Sequence, residues 1–233
     1  MWLFDIPKNY PEMLKKIAWT MFFVVAIFLF IFSNISEAFS TFMSEISFGL
    51  RYENYGLKMY ISYIYIPLIF ALLENIFKLH DLISDVFRIR FRFDKYIIIK
   101  EFLVKCNKIN KIDSVNMENR NEIMSNIFYK YAGYGDPCID VHLIYMALGS
   151  WSWYWVILDT LAVTLVLGII FLITNFSWIS LMTIFCIVIA LNIIMYLIKN
   201  FSCKKYAILE VNSILNDKKR RHQINKYLSD MLN

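Results

Sequence analysis

Apolar residues fall along this chain in long uninterrupted blocks, not in the short alternations of a soluble core. The two longest adjoin one another. Residues 151–174 carry one charged side chain, Asp159, and residues 178–198 carry none. A bilayer hydrocarbon core about 30 Å thick is crossed by roughly 20 apolar helical residues, so each block predicts a membrane-spanning helix. Only Asn175, Phe176 and Ser177 join them, which forces an antiparallel hairpin. Residues 17–35 and 59–77 have the same character and predict an earlier pair of spans. The pattern therefore specifies an all-α membrane protein with four transmembrane helices. Its segments are a lead and first hairpin (1–77), a small, mainly helical domain (78–150), a second hairpin (151–198) and a carboxy-terminal helix (199–233).

Charge placement orients this arrangement. Lys and Arg number 3 before the first block, 2 between the first and second, 11 between the second and third, none in the hairpin link and 8 after the fourth. That puts 22 on one side and 2 on the other. Segments retained in the cytoplasm carry the excess of Lys and Arg, so both termini and residues 78–150 are expected inside. Lys15 and Lys16, the apolar run and then Ser36-Glu37-Ala38 bear a faint likeness to a secretory signal. The run is longer than a signal core and reads as a retained helix.

Composition agrees: 59% of residues are hydrophobic and 18% charged, too apolar for an ordinary soluble domain. The four cysteines show no C-x-x-C spacing, which argues against a disulfide framework or a zinc ribbon. No G-x-x-x-x-G-K-[ST] loop or G-x-G-x-x-G fingerprint is present, so no nucleotide-hydrolysing or dinucleotide chemistry and no cofactor is expected.

Between the blocks, Ile35, Phe39, Phe42, Met43, Ile46 and Leu50 recur at helical steps, predicting an amphipathic helix with Glu37 and Glu45 on its polar side. Pro67 should kink the second span. No helix breaker intervenes through His80-Asp81 and Ser84-Asp85, so that helix is expected to run several turns into the cytoplasm. Residues 88–93, RIRFRF, alternate strictly. As a strand they would line up Arg88, Arg90 and Arg92 on one face, a spacing suited to phosphates or to anionic lipid headgroups. Two helical pieces, divided around residues 107–114, fill 96–132. In GYGDPCIDVH, Asp136, Cys138, Asp140 and His142 alternate, but their mixture of hard and soft donors fits a metal poorly. A turn with Asp140 as helix N-cap is the simpler reading. A long helix without Gly or Pro should continue the fourth span through Lys218, Lys219, Arg220 and Arg221, a basic run that faces lipid, solvent or an anionic ligand.

The candidate chemistry lies within the apolar blocks. Counted from the inner boundary, Glu74, Asp159 and Asn192 fall at similar depths on three different helices. A lone Asp in lipid costs about 2.5–3.5 kcal/mol, so Asp159 should face protein or water. These groups either line a cation path or tie the helices together. Thr160, Thr164 and Gly168, at four-residue steps, offer a smooth packing surface. Since four helices enclose little water, a pore would need several copies around an axis.

The leading expectation is an oligomeric, ligand-gated cation channel or pore. The two hairpins, Arg88–Arg92 after the second span and Lys218–Arg221 after the fourth, resemble in layout the four-span membrane effectors of bacterial anti-phage defence, such as Hailong systems. The resemblance implies a multi-pass protein of the bacterial inner membrane, regulated by a nucleotide or single-stranded nucleic acid. A proton-coupled carrier using Glu74 and Asp159, or a non-conducting scaffold, are the alternatives. An enzyme is not expected, because the sequence supplies His80, His142 and His222 with no convincing nucleophile or metal partner.

Overall fold

A computed structural model describes residues 5–47, 51–54, 57–133 and 138–232. Among them the chain is helical apart from one hairpin, and three helices are long and apolar enough to cross a membrane. It divides into two units. The first comprises chiefly Pro11–His80 and Ser152–Leu197, and the second chiefly Asp81–Trp151 with the residues after Leu197.

In the first unit, α1 (Tyr10–Ile35) ends at Ser36, whose hydroxyl accepts from the Phe39 amide at 3.2 Å and caps α2 (Glu37–Ile46). As the periodicity predicts, α2 buries Phe39 and Met43 and exposes Glu37 and Glu45; Leu50 lies outside the described residues. Strands β1 (Arg51–Asn54) and β2 (Leu57–Tyr60) then pair antiparallel, Arg51 opposite Tyr60, a hairpin that the all-helical expectation omits. The second apolar block is accordingly shorter than expected. Its first residues belong to β2, and α3 (Ser62–Phe77) has 16 residues with Pro67 inside it. At 1.5 Å per residue, α3 is about 24 Å long.

Nor does α3 run on into the next segment. Lys78 adopts a left-handed conformation (φ 48°) and donates its amide to the Glu74 carbonyl at 2.9 Å, ending the helix. This is the αL closure that usually falls on Gly or Asn, which is why the sequence gives no sign of a break. A new helix, α4 (Leu79–Val86), begins at once.

Of the other two long apolar helices, the first packs against α1 and the second against the first. In α9 (Val141–Thr174), the Thr160 and Thr164 hydroxyls are buried and bond to carbonyls of their own helix at 2.7 Å, leaving a smooth face. Phe171 stacks on Phe32 at 4.6 Å. A methyl group added at Gly168 would lie 3.1 Å from Ile184 of α10 (Trp178–Leu197), so the glycine sets the closeness of this hairpin. Only Ile184 of α10 is buried, and its other apolar side chains form a surface suited to lipid.

The second unit is helical. Residues 88–93, expected as a strand, form a helix, α5 (Ile89–Phe93), entered through a left-handed Arg88. It passes through a π-helical turn, Asp94–Ile99, into α6 (Lys100–Lys105). The six-residue alternation misleads because Ile89 and Phe93 are also four apart, a helical spacing that puts Phe93 in the core against Trp151. After the 3₁₀ turn Ile109–Ser114 come α7 (Met117–Ile123), the π-helical turn Met124–Phe128 and α8 (Tyr129–Ala132). The chain after α10 continues through the π-helical turn Ile198–Cys203 into α11 (Lys204–Leu215). It then breaks at Asn216-Asp217 before α12 (Lys218–Leu232), so the single long terminal helix is in fact two. The core of this unit gathers Ile99, Phe102, Leu103, Val211, Ile214 and Leu228.

Candidate cation site

The break at Lys78 builds the site. By turning the chain back at the end of α3, it returns His80 to Glu74, six residues earlier, and Nδ1 of the imidazole meets Oε1 of the carboxylate. Asp159, from the middle of α9, completes the group. One ligand atom from each of Glu74, His80 and Asp159 lies within 4.8 Å of the others. All three side chains are closed off from solvent, Glu74 at 3% exposure and His80 and Asp159 at 0%. The Trp155 ring packs 5.4 Å from the imidazole and walls one side. The second Glu74 oxygen is buried with no hydrogen-bond partner among the described residues, a costly state for a carboxylate unless a cation or proton satisfies it.

Two carboxylates and an imidazole form a donor set for a first-row divalent cation. Histidine nitrogen and carboxylate oxygen both bind zinc at about 2.0–2.2 Å, which sets ligand atoms roughly 3.3 Å apart. Side-chain rotations moving each donor by about 1 Å would close the observed spread onto such an ion.

Sequence reasoning placed Glu74 and Asp159 at one depth, and the structure brings them together. Asn192 does not join them. It is exposed on α10 and donates to the Val188 carbonyl of its own helix at 2.8 Å. His80, which the sequence left without a partner, is the member that was missed. The available signal was its spacing, six residues after an acid at the end of an apolar run.

The basic residues disperse. Arg90 pairs with Asp81, whose other oxygen accepts from the Tyr10 hydroxyl at 3.1 Å, while Arg88 and Arg92 are exposed. No common arginine face forms, because alternate residues of a helix point to different sides. Arg220 donates to the Cys138 carbonyl at 3.0 Å and lies over the Tyr131 ring. Arg221 donates to the Lys105 carbonyl at 2.8 Å, and Lys218 and Lys219 are exposed. In the GYGDPCIDVH segment, Asp136 lies outside the described residues. Asp140 accepts from the His142 amide at 2.9 Å, the capping role expected of it.

Residues 9–228 match the YmfE protein family. The chain belongs to that family. No curated protein and no solved structure matches it. The match extends over nearly the whole chain, so it takes in Glu74, His80 and Asp159 and also most of the basic helix α12.

Proposed function

We propose that the protein moves cations across a membrane, with Glu74, His80 and Asp159 as an occluded binding site that exchanges protons for a divalent ion. The observation that carries this reading is the mutual approach of three buried ionisable groups from two apolar helices and the first turn of α4. Charge balance makes it specific. Two ionised carboxylates with a neutral imidazole sum to −2, a net charge that a buried site tolerates poorly. One divalent cation neutralises it, and so do two protons. Exchanging one for the other keeps the site neutral throughout, which is the requirement for a carrier that alternates between loads.

The complete burial of Asp159 favours an occluded site over the lining of a pore. The asymmetry of Lys and Arg favours four spans with both termini in the cytoplasm. The short α3 would cross with local thinning of the bilayer.

The test is reconstitution into sealed vesicles, with a metal-sensitive dye and a pH dye inside. Zn²⁺ or Mn²⁺ entering down its gradient should drive protons out. Asp159→Asn and Glu74→Gln should abolish both signals, and Asn192→Ala should leave them intact. A monodisperse wild-type protein that moves neither ion, or flux indifferent to both carboxylate variants, would overturn the reading.

A further inference from the structure

A second constellation lies in the other unit and plays no part in cation handling. The chain reverses after α6 through Asn107, which holds a left-handed conformation (φ 57°) that Asn tolerates well. The reversal leaves the Lys105 carbonyl exposed at the helix end, where the Arg221 guanidinium binds it. Between α6 and the start of α12 is a cavity of about 270 Å³. From α12 it is lined by Lys218, Arg221, His222 and Asn225, positions i, i+3, i+4 and i+7, which form one helical face. Lys105 and Asn107 close the opposite side.

The geometry points to a binding pocket for a phosphate-bearing small molecule. Three cationic side chains line it and no carboxylate does. Lys105 makes a loose ion pair with Glu101 at 3.9 Å. Arg221 spends one terminal nitrogen on the Lys105 carbonyl, which fixes the guanidinium plane and leaves the other donors of the fork for an anion. The Asn107 and Asn225 amides add neutral donors and acceptors suited to the uncharged part of a ligand. Asp217, which precedes this face, is turned to the helix start, where it accepts from the Arg220 amide at 2.7 Å.

Size selects the class of ligand. The volume falls just under the usual range of small-molecule sites, about 300–1,000 Å³, and suits a mononucleotide-sized phosphate ester. Half of the basic run thus faces the pocket. Lys218 and Arg221 face the cavity, while Arg220 is engaged with Tyr131 and Cys138.

The test uses the full chain in nanodiscs, with AMP as a soluble phosphate monoester and adenosine as its uncharged counterpart. In phosphatidylcholine discs AMP should bind saturably, inorganic phosphate should displace it, and adenosine should not bind. Lys218→Gln combined with Arg221→Gln should weaken AMP by roughly tenfold or more, and Lys226→Gln, on an exposed residue away from the cavity, should not. Lys218→Glu alone, which leaves the Arg221–Lys105 bond intact, should give the same loss and guards against misfolding of the double variant. Added phosphatidic acid that binds in a Lys218- and Arg221-dependent way, with AMP inert, would assign the same chemistry to a lipid headgroup. No saturable phosphate binding in either disc, or binding untouched by Lys218→Glu, would overturn the proposal. Neither result bears on cation flux, which depends on other residues.

Discussion

Replacing Glu74 or His80 singly and then together measures whether the buried group is ionic. Glu74→Gln keeps the shape and an acceptor for the imidazole but removes the charge. His80→Gln leaves Glu74, 3% exposed, to bear its charge against Asp159. In the cation-free, two-proton state one proton rests on the imidazole and makes it an ion pair with Glu74; removing one partner of such a buried pair costs about 3–5 kcal/mol, because the other stays desolvated and uncompensated. With both removed, two neutral amides can hydrogen-bond in the same space, so the double variant should cost about 2 kcal/mol less than the sum of the singles. The assay is reversible unfolding in mixed micelles at neutral pH, titrating with sodium dodecyl sulfate. A divalent cation at 100 times its dissociation constant should further stabilise the wild type by about 2.7 kcal/mol, and Glu74→Gln should lose that increment. Singles that each cost under about 1 kcal/mol, with a double equal to their sum, would refute the ionic account.

Three other measurements probe the elements that support the two units. Lys78→Gly should be neutral or stabilising by up to about 1 kcal/mol, since a left-handed residue is easier for glycine, and should retain metal binding. Lys78→Pro, which cannot adopt φ 48° or donate to Glu74, should abolish metal binding as read by the cation-dependent shift in unfolding. Gly168→Val should destabilise the α9–α10 hairpin by about 1–3 kcal/mol, and Ile184→Ala should restore part of the loss in the same micelle titration. The Asp94 carboxyl, held by Arg120 at 2.8 Å, is pushed up to about 6 by burial, against the pull of that guanidinium. The folded chain thus holds this proton more tightly than the unfolded one. The contribution is complete below about pH 4 and is lost as pH rises to about 6, an upper bound of about 3 kcal/mol. Asp94→Asn should flatten the stability profile in that window, and an unchanged slope would contradict the assignment.

How far the sequence could be read depended on whether a feature was periodic or positional. Three of the four long apolar blocks, the amphipathic stretch that became α2 and the Asp140 cap were legible because repeating spacing or local chemistry carries them. The hairpin at residues 51–60 and the helix at RIRFRF were not, since short segments satisfy two periods at once; at RIRFRF the packing of Phe93 against Trp151 decides for the helix. The basic run at 218–221 was legible as charge but not as structure. Once the chain breaks at Asp217, the helical period assigns Lys218 and Arg221 to one face and Arg220 to another.

The cation site divides along the same line. Depth in a membrane helix follows from counting residues at 1.5 Å each, and that count alone put Glu74 and Asp159 at one level. Direction around the axis does not follow from depth. Asn192 is at a comparable count on α10, yet it lies about 80° around the helix from Ile184, the buried position of that helix, and bonds to its own backbone. His80 presents the opposite case: its position depends on a left-handed lysine that no propensity favours. A lysine held there against its preference, with His80 two residues later returned to a buried glutamate, is backbone strain kept where it assembles a charged site. That coincidence is the strongest argument that the Glu74–His80–Asp159 group is functional, because packing alone would be served equally well by an uninterrupted helix and an apolar side chain at position 80.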